Sequence, residues 1–178
     1  MTEEFKLIES NTIYRGRVFN LRQDQVQFPT GRVAKLDIID HPSSVLIVPI
    51  DESGNILFIH QYRHATGKII LELPAGVVEE GETPENCARR EIREETGMSA
   101  RLVDRIGGYY LVPGYSTEYL HVYLARELHP DPLPGDEDEF IDVVRIPAAE
   151  AFVQAEAGDI HDSKTLAALI LAKPHLNI

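Results

Sequence analysis

The stretch from Gly76 to Met98 constrains this chain more than any other. It reads G-x5-E-x7-R-E-U-x-E-E-x-G-U (U a bulky aliphatic), with four glutamates, one arginine and two glycines fixed within 23 positions. Thr83 and Pro84 form a good helix start, because Thr caps free N–H groups and Pro fits the first helical position. Gly97 is a suitable stop, since glycine adopts the left-handed conformation that ends helices. Between them the spacing predicts a helix of about three or four turns. Glu91, Glu94 and Glu95 then fall at i, i+3 and i+4, on one face.

Three carboxylates so close repel one another, by about 0.2–0.5 kcal/mol per pair in an isolated helix. A cation removes that cost, and an all-oxygen donor set suits hard Mg²⁺ or Mn²⁺. The competing reading is a solvated helix face in which Arg89, Arg90 and Arg93 neutralise the acids. The preceding Leu73-Pro74-Ala75-Gly76 turn and the complete spacing favour the metal.

The chain of 178 residues is long enough for a sizeable core, and its 43% hydrophobic and 26% charged content is ordinary for a globular protein. A formal charge of −12, from 17 basic and 29 acidic residues, argues against a nucleic-acid surface or an anionic membrane partner. Cys87 is the only cysteine, which excludes an intrachain disulfide and a thiolate zinc cluster. No activating context surrounds it, so it reads as a packing residue. Met1-Thr2-Glu3-Glu4-Phe5-Lys6 lacks the apolar core of a signal peptide. The longest apolar run, Val45 to Ile50, is too short to span a bilayer. The expected address is the cytoplasm.

Residues 5–40 read as short strands with turns, including one at Pro29-Thr30-Gly31. Val45–Ile50 and Ile56–Tyr62, separated by a turn at 51–55, predict a hairpin. Ile69–Leu73 leads into the glutamate helix, and further strands follow near Arg101–Leu111, Glu118–Leu124 and Phe140–Ile146. Pro147–Glu156 and Ser163–Lys173 are expected to be helical, the second capped by Asp162 with Leu166, Leu169 and Ile170 on one face. This order predicts mixed α/β layers. We divide the chain into an N-terminal β-unit, 1–42, and a main domain, 43–178. The first is too small to bury its own core and calls for a partner surface.

The Gly76–Met98 pattern resembles the Nudix box. From about Tyr14 onward the chain is similar to the ADP-ribose pyrophosphatase branch of the Nudix hydrolases. Gln61-Tyr62-Arg63, Pro113-Gly114-Tyr115-Ser116-Thr117-Glu118 and the acidic loop 134–139, followed by Phe140-Ile141-Asp142-Val143, carry this narrower likeness. Val112 departs from it, since the family often has a polar residue there. The resemblance implies an α/β/α sandwich and a small antiparallel β-unit exchanged across a homodimer. It implies Mg²⁺-dependent hydrolysis of ADP-ribose to AMP and ribose 5-phosphate, with Mn²⁺ as a substitute.

It also implies roles for particular residues. Glu91 and Glu95 would hold Mg²⁺ with the Ala75 carbonyl, Glu94 a further ion or bridging water, and Glu139 would complete the set. Glu137 is the expected proton acceptor, with Glu94 next. Val77 and Glu118 would contact substrate. Arg63 reads either as a phosphate clamp through its paired N–H donors or as a strand-end charge, and the resemblance favours the clamp. Gly76, Glu82, Arg90 and Gly97 would be structural, with Glu82 and Arg90 joined as an ion pair. Arg32 or Lys35 would reach the phosphates of a neighbouring subunit. His60 and His64 read as structural, and Tyr109, Tyr110 and Tyr115 as core or rim. With no Trp, adenine must stack on Tyr or Phe or pack against aliphatic groups. The alternatives are another nucleoside diphosphate derivative (GDP-mannose, NADH or Ap4A) or a non-catalytic ADP-ribose sensor, which the intact box disfavours.

Overall fold

The computed structural model describes residues 4–135 and 140–176. The chain forms two compact units, one running up to Ser43 and including Tyr109–Tyr119, the other comprising Ser44–Gly108 and Leu120–Ile178. The first thus closes one residue beyond the boundary drawn from the sequence and takes in a later segment as well.

In the first unit, β1 (Lys6–Arg15), β2 (Asn20–Gln27) and β3 (Val33–Asp40) form an antiparallel sheet in the order β1-β2-β3. The β2–β3 turn closes through Phe28 N–H to the Arg32 carbonyl at 2.8 Å, with Gly31 at a φ of 82°. Such a φ favours glycine, which has no Cβ to clash. Ile39 donates to the Tyr115 carbonyl at 2.7 Å and Thr117 to the Ile39 carbonyl at 3.0 Å, tying the later segment to β3. Every residue of β1 is exposed, as are Phe28's ring partner Phe5 and the side chains of Ile13 and Tyr14.

The second unit holds two sheets. One, in the order β7-β4-β9-β8, joins β4 (Ser44–Pro49), β7 (Ala75–Val77), β8 (Met98–Tyr110) and β9 (Tyr119–Pro130). The other, β10-β5-β6, joins β5 (Asn55–Arg63), β6 (Lys68–Glu72) and β10 (Ile141–Pro147). Three helices, α1 (Pro84–Thr96), α2 (Ala148–Ala157) and α3 (Ser163–Ala172), cover them. Helices α1 and α3 both pack against β4, while α2 packs on β5 and β10. Every residue of β4 is buried. Val45 and Ile47 meet Cys87, Ala88 and Ile92 of α1 in the core. Leu46 and Val48 alternate to the opposite face of the strand and are equally buried. Burying a side chain such as Ile92 contributes about 1.5–3 kcal/mol.

Two expectations change. The segments flanking 51–55 do not pair as a hairpin; they share one bridge, Ile50 to Ile56, and then part into different sheets. Strands apolar on both faces seek partners on both edges, and β4 takes β7 and parallel β9 instead. In α3 the buried face is Thr165, Ala168, Leu169 and Ala172, and Ile170 is 71% exposed. Among the described residues no helix is long and apolar enough to cross a membrane.

Candidate active site

Helix α1 begins as its sequence dictates: the Thr83 side chain accepts from Asn86 N–H at 3.2 Å, with Pro84 in the first turn. It ends at Gly97, whose φ is 70° and whose N–H donates to the Arg93 carbonyl at 3.1 Å. Cys87, Ala88 and Ile92 point into the core, which fixes the helix's rotation. Glu91 and Glu95 are thereby buried as well, at 9% and 5% exposure.

The short strand β7 before the helix is built around these carboxylates. Pro74 accepts from Ile47 N–H of β4 at 2.9 Å, and Ala75 N–H donates to Glu95 Oε2 at 2.9 Å. Glu91 lies directly against Gly76. A Cβ at that position would sit 1.8 Å from Glu91 Oε1, so the glycine is required by the carboxylate above it. Glu91 and Glu95 therefore lie against the Ala75–Gly76 segment of β7 with oxygen donors alone, a set that fits a hard divalent cation.

Arg90 is the hub of the outer face. Its Nε and Nη2 meet the two oxygens of Glu82, each at 3.0 Å, forming the ion pair expected from the sequence. Its Nη1 reaches Glu91 Oε1 at 2.7 Å and Glu94 Oε2 at 2.8 Å. The Val77 carbonyl accepts from Arg90 Nη2 and from the Cys87 thiol, each at 3.4 Å. The hydrogen bond from Arg90 holds the Glu82 carboxyl below its usual range. Burial pushes the Cys87 thiol well up, so it remains protonated and serves packing. Among the described residues no three His, Cys, Asp or Glu side chains gather into a metal-holding cluster. Arg90 lies between Glu91 and Glu94 and supplies their positive charge.

A second charged cluster stands at the ends of β5 and β6. Arg63 donates from Nε and Nη2 to the two oxygens of Glu72, at 2.8 and 2.7 Å. Glu72 is 2% exposed and also accepts from Lys164 of α3. Burial alone would raise the Glu72 carboxyl, but the bonds from Arg63 and the charge of Lys164 outweigh it and hold it low. Asp162 caps α3, accepting at Oδ2 from Thr165 N–H at 3.0 Å, Thr165 Oγ1 at 2.6 Å and Lys164 Nζ at 3.0 Å. Thr165 Oγ1 in turn accepts from Leu73 N–H at 2.9 Å. The sequence reading found Arg63 and the Asp162 cap but passed over Glu72 and Lys164. The available signal was an acid inside the apolar run Ile69–Leu73.

Glu118 lies in the first unit, with Oε1 3.9 Å from His41 Nδ1 and its N–H donating to Ser116 Oγ at 3.2 Å. Arg32 and Lys35 are on the same unit. There Tyr110, Pro113, Ser116 and Thr117 line a cavity of about 360 Å³. Tyr110 and Tyr115 are exposed, and Tyr110 stacks edge-to-face on Tyr119 at 5.0 Å. His60 and His64 are exposed, the latter 3.5 Å from the Tyr62 hydroxyl. Glu137 and Glu139 lie outside the described residues. The chain leading to them runs along α1: Leu133 N–H donates to the Arg93 carbonyl at 3.3 Å, and a Cβ on Gly135 would sit 3.6 Å from the Glu94 carbonyl oxygen.

The site is thus a carboxylate-bearing helix packed behind the glycine of β7, set on mixed sheets. The NUDIX domain family matches residues 40–169, and the nucleoside diphosphate sugar hydrolase N-terminal domain matches residues 5–35. The chain belongs to the Nudix family and is a Nudix pyrophosphohydrolase. It is similar to the ADP-ribose pyrophosphatase of Bacillus subtilis (strain 168), at 36% identity covering 93% of this chain and 91% of that protein. The GDP-mannose pyrophosphatase of Yersinia enterocolitica (serotype O:8 / biotype 1B, strain NCTC 13174 / 8081) is 37% identical over 69% of each chain. A solved structure of ADP compounds hydrolase superposes with a TM-score of 0.87 at 26% identity, covering 97% of this chain and 94% of that one. Nudix hydrolases generally use divalent metal ions.

Proposed function

We propose that the chain hydrolyses ADP-ribose to AMP and ribose 5-phosphate, with Mg²⁺ as its metal and Mn²⁺ as a substitute. The observation that carries this reading is the pair of buried carboxylates, Glu91 and Glu95, set against Ala75 and Gly76 of β7. The 36% identity to an ADP-ribose pyrophosphatase along nearly the whole chain supports the choice of substrate. Glu91, Glu95 and the Ala75 carbonyl would hold the ion, joined by Glu94 and by Glu139. A bound divalent cation neutralises a diphosphate and lowers the pKa of bound water.

The remaining work belongs to side chains. Glu137 takes the proton of the attacking water, with Glu94 the next candidate. Arg63 holds a phosphate, using donors beyond the two engaged by Glu72. Val77 and Glu118 contact the substrate. Glu82 and Arg90 keep the loop and helix in register. The 1–42 unit, with its exposed apolar strand residues, is exchanged across a homodimer, and Arg32 or Lys35 then reaches the partner's substrate; residues 43–178 form the hydrolase domain.

A second substrate, GDP-mannose, is favoured by the Yersinia relative. The test is incubation with Mg²⁺ or Mn²⁺ and a panel of nucleoside diphosphate derivatives, with products read by mass. Efficient release of AMP and ribose 5-phosphate supports the proposal. ADP-ribose among the poorest substrates, with another diphosphate cut efficiently, overturns it.

A further inference from the structure

We propose that Lys164, on α3, is a positioning residue for anion binding: it takes up part of the charge of Glu72 and so keeps the Arg63 guanidinium available to a substrate phosphate. This deepens the phosphate role proposed for Arg63 and rests on it.

Glu72 is 2% exposed, and its oxygens are engaged by Arg63 on one side and Lys164 on the other. A buried carboxylate needs a partner, and one cation would suffice to neutralise it. With only Arg63 present, that cation's charge would be consumed by Glu72. With Lys164 bonded to the same carboxylate, Glu72, Arg63 and Lys164 together carry one positive charge in excess. Asp162, which caps α3 through Thr165 N–H and Oγ1, also accepts from Lys164, so the four groups together are neutral. The cation of this neutral cluster open to an anion is Arg63, whose side chain is 39% exposed against 14% for Lys164.

The same residues also fix position. The Arg63 fork meets both Glu72 oxygens only while Glu72 holds its rotamer, and Lys164 grips the Oε2 that Arg63 Nη2 also uses. One residue further on, Leu73 is bonded to Thr165, the neighbour of Lys164. Two residues beyond that, Ala75 is bonded to Glu95. The start of α3 is thus tied both to the guanidinium and to the segment leading into β7, on which the glutamate helix closes.

The test is steady-state kinetics of the full chain with ADP-ribose and Mg²⁺ for Arg63→Gln, Lys164→Gln, Lys164→Arg and the Arg63→Gln/Lys164→Gln double variant. Lys164→Gln is expected to raise KM about tenfold, the scale of a lost charged hydrogen bond, with kcat kept within about threefold. Lys164→Arg should restore KM, and Lys164→Gln should add little to Arg63→Gln. A merely structural role would lower the active fraction, and hence apparent kcat, at unchanged KM. If Lys164→Gln does not fold, Glu72→Gln/Lys164→Met removes the shared carboxylate and its second cation together; because no Glu72 charge then offsets Arg63, KM should stay within about threefold of the native value, and a tenfold rise overturns the charge account. An unchanged KM in Arg63→Gln sinks the phosphate role of Arg63 and this proposal with it. A raised KM in Arg63→Gln, with Lys164→Gln unchanged or fully additive, overturns the role of Lys164 alone.

Discussion

Arg90 grips Glu82 through two parallel hydrogen bonds, Nε to Oε1 and Nη2 to Oε2, each at 3.0 Å. Only a planar guanidinium can make that contact and still extend Nη1 to Glu91 and Glu94. The pair joins the loop to the helix that carries the carboxylates. Arg90→Lys keeps the charge and loses the fork, so it should lower kcat about 10–100-fold in a folded protein. Glu82→Gln should give a similar loss, and the double variant little more. Wild-type turnover in Arg90→Lys would show that the fork has no part in positioning.

Gly76 is required for space. A methyl group there would meet Glu91 Oε1 at 1.8 Å and its carboxyl carbon at 1.9 Å. Gly76→Ala must push Glu91 aside, at a cost of about 1–3 kcal/mol in stability, and should depress activity more than stability. Thermal unfolding and turnover measured together check this; an unchanged melting temperature and rate would contradict it.

Glu72 makes stability depend on pH. Burial works to raise its pKa, but Arg63 and Lys164 hold the folded-state value below the ordinary 4.5. A depressed carboxylate contributes stability that is complete above the unfolded-state value and is lost as pH falls through the folded-state value. Denaturant unfolding from about pH 5 down to about pH 3 should therefore fall more steeply for the native chain than for Glu72→Gln. Parallel profiles would remove Glu72 from the acid transition.

Much of this was legible because it is local. The helix start at Thr83, its stop at Gly97 and the spacing of Glu91, Glu94 and Glu95 all belong to one 13-residue helix and its caps. The Glu82–Arg90 pair spans only eight residues. What escaped depends on distant partners. Glu72 and Lys164 are 92 residues apart, and neither has a local signature. Strands β4 and β5 look like a hairpin because each is apolar beside a short turn. Which sheet a strand joins is decided by its edge partners, and for β4 one of these is the parallel strand β9. The amphipathic reading of α3 failed at Ile170, where small residues, Ala168 and Ala172, take the packed face.

The exposed apolar side chains of the first unit predict a dimer. Deleting residues 1–40 should leave a monomeric or aggregating protein with weak affinity for ADP-ribose, although every residue from Gly76 to Met98 remains. Light scattering checks the intact chain: a mass near 20.0 kDa would count against exchange between subunits.

The most direct test of the whole account is the turnover of ADP-ribose by Glu95→Gln at saturating Mg²⁺. The amide preserves size and can still accept from Ala75 N–H, so the fold should hold. It removes the charge that the divalent ion requires, and kcat should fall by about three orders of magnitude. Turnover near that of the native chain would contradict the assignment of the metal to this helix.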